Sequence, residues 1–150
     1  MKINTKCSLA LHILLLIAVF SETTKMTSEN IARSTGSNPV IVRNLLGRLK
    51  QAGIVTVHRG SGGAELAMPP DEISVWMVNE AVEPSSMQNL MGLHQNPSPK
   101  CPVGSRIYGL LDEPYEDIRK SVQCSMKNYS LADLVARYYA DVGRTQIENT

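Results

Sequence analysis

Aromatic residues are scarce in this chain: one Phe, one Trp and five Tyr, 5% of 150 residues. A core built from it must be aliphatic and rich in methionine, of which there are seven. Cysteine is as sparse. Cys7, Cys101 and Cys124 are too few for a disulfide scaffold and suit a reducing, cytoplasmic setting. The long apolar run needed to span a bilayer is missing too. The stretch Ser8 to Phe20 is interrupted by His12 and falls short of the roughly 20 residues required. Lys2 and Lys6 precede it as in a secretory signal, but no small-x-small cleavage site follows. It is read instead as a buried first helix over residues 2–20. There is no internal repeat. Equipment for catalysis is also lacking: no nucleophile–base pair, no paired carboxylates, no phosphate-cradling loop. Gly60-Ser61-Gly62-Gly63 is glycine-rich but lies in a hairpin, with no Lys-Ser/Thr after it. An enzyme is therefore not expected.

What is present is an uneven charge. The net charge is +1. Residues 1–70 carry eight Lys/Arg against three Asp/Glu, or +5; residues 71–150 carry seven against eleven, or −4. A basic N-terminal half suits a polyanionic partner. Within it, residues 27–34 predict a short helix, with Thr27 as cap and Met26 with Ile31 as a hydrophobic staple. Gly36 turns the chain. Residues 38–52 predict a second helix, with Asn38 as cap and Pro39 at its first position. Val42, Leu45, Leu46 and Leu49 form its buried stripe, leaving a polar and basic face free. The pair is a helix-turn-helix pattern, whose second helix enters the DNA major groove. Residues 54–68 then read as strand, Gly turn and strand: a wing.

The run Arg48-Leu49-Lys50-Gln51-Ala52-Gly53-Ile54-Val55, with His58-Arg59-Gly60-Ser61-Gly62-Gly63-Ala64, resembles the Rrf-type winged helix-turn-helix regulators, the group of IscR, NsrR and CymR. The resemblance extends to the first helix, to Asp71-Glu72-Ile73 and to Cys101-Pro102-Val103-Gly104. It implies a mainly α fold with a small β-hairpin wing and a long C-terminal dimerisation helix. The expected divisions are a DNA-binding domain over 1–83, a sensor linker over 84–101, and dimerisation and terminal helices over 102–150.

Past the wing, Asp71-Glu72 predict the start of a helix in which Ile73, Trp76, Met77, Glu80 and Ala81 share a face, ended by Pro84. A long helix is expected from Pro102. Ile107, Leu111, Pro114, Ile118, Val122 and Ser125 on it are the candidate dimer interface, with a kink near residues 110–114. Ser130 predicts the cap of a last helix, Leu131 to Tyr139, with residues from 143 frayed.

The candidate DNA contacts follow from residue chemistry. Arg43 suits guanine, Asn44 adenine and Val40 a thymine methyl. Thr27, Ser28, Ser37 and Asn38 sit near helix starts, where hydroxyls and amides meet phosphates. Arg59 matches the family's wing arginine, and Ser61 and Gly62 form the tip, which suits the minor groove. Lys50, Arg48 and His58 are expected as phosphate or surface residues. Family members that hold an iron–sulfur cluster carry three cysteines in the region of residues 85–105. Here Cys101 stands alone, with His94 seven residues before. A cluster needs about four ligands, so neither cluster, metal nor other cofactor is expected. Cys101 reads either as a redox thiol, its pKa lowered by a helix N-terminus, or as a small loop residue. The function expected is a sequence-specific transcriptional regulator, a repressor, acting as a homodimer on a palindromic operator, with an effector or redox signal sensed near residues 85–105. Its partners would be double-stranded DNA and itself, with no membrane. The alternative is a winged-helix protein-interaction module without specific DNA binding.

Overall fold

The computed structural model describes residues 5–60 and 62–148. Helix α1, Thr5–Phe20, lies at the centre of the core. Its Ala10, Ile13, Leu14 and Ile17 recur at one face and are wholly buried. Helices α2, Ser28–Thr35, and α3, Pro39–Gln51, pack against it and against each other. The caps are those the residue types dictate. Thr27 Oγ1 accepts the Asn30 N–H at 3.2 Å, and Asn38 Oδ1 accepts the Val40 N–H at 2.8 Å. Gly36 closes α2 at φ 67°, sending its N–H to the Ala32 carbonyl. Met26 and Ile31, the staple, are both buried, as are Val42, Leu45, Leu46 and Leu49 of α3.

The wing is an antiparallel pair, β1 Val55–His58 and β2 Gly63–Leu66, in register from Val55 opposite Leu66 to His58 opposite Gly63. It is fastened at the base of α2, where the Ala64 N–H donates to the Met26 carbonyl at 2.9 Å.

Three expectations are corrected. Asp71 and Glu72 do not open a helix; they lie in a 3-10 turn, Pro70–Glu72. Helix α4, Val75–Val82, begins later, where Ser74 Oγ accepts the Met77 N–H at 3.1 Å. The cause is tertiary. Ile73 is held extended because its carbonyl accepts the Leu131 N–H at 2.7 Å, while the Val75 N–H reaches the Tyr129 carbonyl at 2.9 Å. The face of α4 that buries is accordingly Val78, Asn79 and Val82, though Ile73 is buried as expected.

The long helix α5 spans Ile107–Lys127, not from Pro102. Residues 101–106 are spent on turns, in which a Cβ at Gly104 would lie 2.7 Å from the Ser98 carbonyl oxygen. The helix continues on both sides of Pro114, which has no N–H for the Leu110 carbonyl.

The last helix, α6, Leu131–Glu148, runs well past Tyr139. Leu131 is buried in the core and Val135 packs beside it, so the start of α6 is anchored on α1 and the turn before α4. Among the described residues no helix is long and apolar enough to cross a membrane.

Candidate nucleic-acid interface

With the stripe of α3 turned inward, the opposite face is left bare. Val40 and Ile41 are 55% and 49% exposed, and Arg43, Asn44, Gly47, Lys50 and Gln51 join them at the surface. A cleft of about 310 Å³ separates this face from the wing, walled by Thr27, Ser28, Arg43, Lys50, His58 and Gly60. The fold thus brings Thr27, Ser28 and Arg43 to one place. Asn38 and Ser37 lie at the far, N-terminal end of α3. The side chains of Thr27 and Asn38 are engaged as caps. Arg59 is exposed on the wing beyond β1. Gly62 is exposed beside it, and a Cβ there would run into His58 Cβ, so the tight hairpin itself calls for glycine. Ser61 lies outside the described residues.

The arginines of α3 differ in kind. Arg48 Nη1 donates to the Val82 carbonyl at 2.7 Å, tying α3 to the end of α4. It stands at the surface, as its position in the sequence predicts, with this one N–H spent on a structural contact. Arg43 instead faces α2. Its Nη2 donates to Glu29 Oε1 at 3.0 Å and its Nε to Ser28 Oγ at 3.2 Å. The Ser28 hydroxyl in turn donates to Glu29 Oε2 at 3.1 Å. Backbone N–H donation at the start of α2, with Arg43 and Ser28, holds the Glu29 carboxyl below the usual carboxylate range. Across the wing, His58 Nε2 and Glu65 Oε2 stand 3.3 Å apart. Glu29 and Ile41 were not legible as site residues. Glu29 meets Arg43 fourteen positions away, and Ile41 reads as an ordinary helical hydrophobe.

Comparison with known proteins adds a family to this geometry. The model of the Rrf2 family, described as an iron-dependent transcriptional regulator, matches residues 3–137. The chain belongs to the Rrf2 family. The Rrf2 chain is 39% identical over 133 residues to YwnA of Bacillus subtilis (strain 168), named as an HTH-type transcriptional regulator, covering 89% of this chain and 96% of that protein. A solved chain named as a DNA-binding protein is 37% identical, with a TM-score of 0.68 over 86% of this chain and 97% of its own. CymR, the global cysteine regulator of B. subtilis, shares the fold at 22% identity, with a TM-score of 0.68 over 91% of this chain and 98% of its own. This Rrf2 protein is thus a transcriptional regulator with a winged-helix DNA-binding fold, and not an enzyme.

An iron-dependent member of this family needs a set of side-chain donors for the metal. In this Rrf2 chain Cys101 is exposed, Cys7 half-buried on α1 and Cys124 exposed on α5. Among the described residues no three His, Cys, Asp or Glu side chains converge on a point. One thiol does not fit an iron–sulfur cluster, which needs about four ligands. Cys101 has a different character. Backbone N–H groups of Gly104 and then Val103 pull its thiol below the ordinary cysteine range. The cause is the Cys-Pro-Val-Gly turn, not a helix N-terminus, since α5 starts only at Ile107.

Proposed function

We propose that this Rrf2 regulator is a cytoplasmic repressor that binds a palindromic operator as a homodimer and works without an iron–sulfur cluster. The observation that carries the DNA reading is the bare face of α3, with Arg43 and Asn44, set across one cleft from the wing that presents Arg59. The net +5 over residues 1–70 favours a polyanion at this end. Dimerisation is supported by α5. It is 21 residues long and buries none of them; Leu110 and Ile118 are 59% and 40% exposed. A helix of this length with an unburied apolar face needs a partner, and a second α5 about a two-fold axis supplies one. Two heads so related would meet half-sites about one helical turn, roughly 34 Å, apart or a multiple of that.

The effector would act near residues 85–105. Two features support this. Cys101 sits there as an exposed thiol of lowered pKa. A larger cleft, about 1010 Å³, opens between α1 and this segment, with Leu11 and Leu15 on one side, Met87 and Leu90 on the other and Asn79 between them. Its size and apolar lining suit a small organic effector.

The reading is tested by selection from random duplexes at several salt concentrations, with wild type, Arg59→Ala and Cys101→Ser, each with and without a mild oxidant. The expected result is a palindrome. Binding should fall steeply with salt, as phosphate contacts require, and weaken about tenfold or more in Arg59→Ala. Oxidant release that disappears in Cys101→Ser would make the thiol the sensor. If no sequence is enriched even at low salt, the DNA reading falls and a protein-docking role replaces it.

A further inference from the structure

Arg43 is held by α2 through one edge only. In a guanidinium the Nε–H and one Nη2–H are parallel and form the side-on edge; one N–H from each of Nη1 and Nη2 forms the end-on fork. Ser28 Oγ and Glu29 Oε1 take the side-on edge. The end-on fork has no partner among the described residues, and the side chain is 57% exposed at the surface that α3 presents. Either edge of a guanidinium can meet guanine O6 and N7 in the major groove, so with the side-on edge taken the end-on fork is the one left for a base.

We propose that Glu29 is a specificity-positioning residue: it grips Arg43 side-on so that the end-on fork meets a guanine edge rather than the nearest phosphate. The inference rests on the DNA reading above. An untethered arginine beside DNA is drawn to the backbone, which binds it whatever the sequence. Glu29 opposes this in two ways. It fixes the guanidinium before DNA arrives, so less freedom is lost on reading a base. Its own charge, in the wall of the same cleft, repels phosphate. Ser28 completes the grip, because its single hydroxyl proton goes to Glu29 and its lone pair to Arg43. A merely structural pair is the competing explanation. Both side chains are more than half exposed, and such pairs add little to stability.

The test uses the full chain as wild type, Glu29→Gln, Arg43→Ala and the double variant. Each is titrated against the selected operator and against operators with each guanine of the half-site replaced in turn. Wild type should discriminate at one guanine by about 10- to 100-fold. Glu29→Gln should still bind, with that discrimination reduced at least about threefold and a steeper salt dependence, as Arg43 moves to a phosphate. Arg43→Ala should lose the discrimination, and adding Glu29→Gln should then change nothing at that base. Undiminished discrimination in Glu29→Gln overturns the proposal, as does a loss that persists in the Arg43→Ala background. Both outcomes leave the DNA reading standing. A wild-type protein that selects no sequence overturns both.

Discussion

Gly63 shows how much one residue holds in place. Its φ is 77°, and a Cβ would lie 2.9 Å from the Met26 nitrogen and 3.0 Å from the Met26 carbonyl carbon. Both are backbone atoms that cannot swing aside, and the next residue makes the hydrogen bond that docks the wing. Gly63→Ala should therefore destabilise the protein by about 1–3 kcal/mol, seen as a lower midpoint in chemical denaturation, and loosen the wing. A variant as stable as wild type would show that the wing is not fastened there. The cysteines differ just as locally. Turn N–H groups lower the Cys101 thiol, while burial raises Cys7. A lowered pKa puts thiolate in hand at lower pH, and thiolate is the species that alkylates. In a Cys124→Ser background, Cys101 should alkylate at lower pH than Cys7, which mass spectrometry resolves site by site. The reverse order would remove the basis for a redox thiol at Cys101.

Among the elements, α6 is the one whose start is most fully specified. The Ser130 hydroxyl accepts the Asp133 N–H at 3.1 Å, and Asp133 Oδ2 accepts the Ser130 N–H at 2.8 Å. This reciprocal cap sits beside the Leu131 link to Ile73, so the cap and the entrance to α4 are one joint. Ser130→Ala should cost about 1 kcal/mol in denaturant titration. Donation from the Ser130 backbone and hydroxyl holds the Asp133 carboxyl below its usual value. A depressed folded pKa means that this stabilisation is complete above the unfolded carboxyl pKa and is lost as pH falls through the folded one. Asp133→Asn should accordingly lower stability in the neutral region and change it little at acid pH, which flattens the acid limb of the stability curve. An acid limb unchanged from wild type would show that the cap carries no linked proton.

On the scale of the whole molecule, the body and the long helix solve different problems. The body buries α1 and the faces of α2, α3 and α4 that turn toward it, with Leu131 of α6 in the same core. Helix α5 leaves Leu110 and Ile118 exposed, with Ile118 near its middle. A charge there should oppose a second copy without disturbing the body. Wild type should sediment as a dimer and Ile118→Asp as a monomer. Its operator affinity should drop by 10²-fold or more, on the order expected when two linked contacts become one. A wild-type monomer would remove the palindrome from the proposed function.

The sequence by itself determined the local elements of the DNA-binding end. Caps, a proline at a first helical position, a glycine at a helix end and stripes at three- and four-residue spacing are interactions between near neighbours. Thr27, Asn38, the Val42-to-Leu49 stripe and the wing around Arg59 could all be read from it. Tertiary structure decided whatever depends on residues far apart. Leu131 drew Ile73 out of the helix that Asp71 and Glu72 announce, and Val82 claimed Arg48. Glu29 took one edge of Arg43 across fourteen positions and left the other to the solvent. Periodicity shows which face of a helix is free, but a hydrogen bond to a distant partner decides whether a side chain on that face is available for DNA.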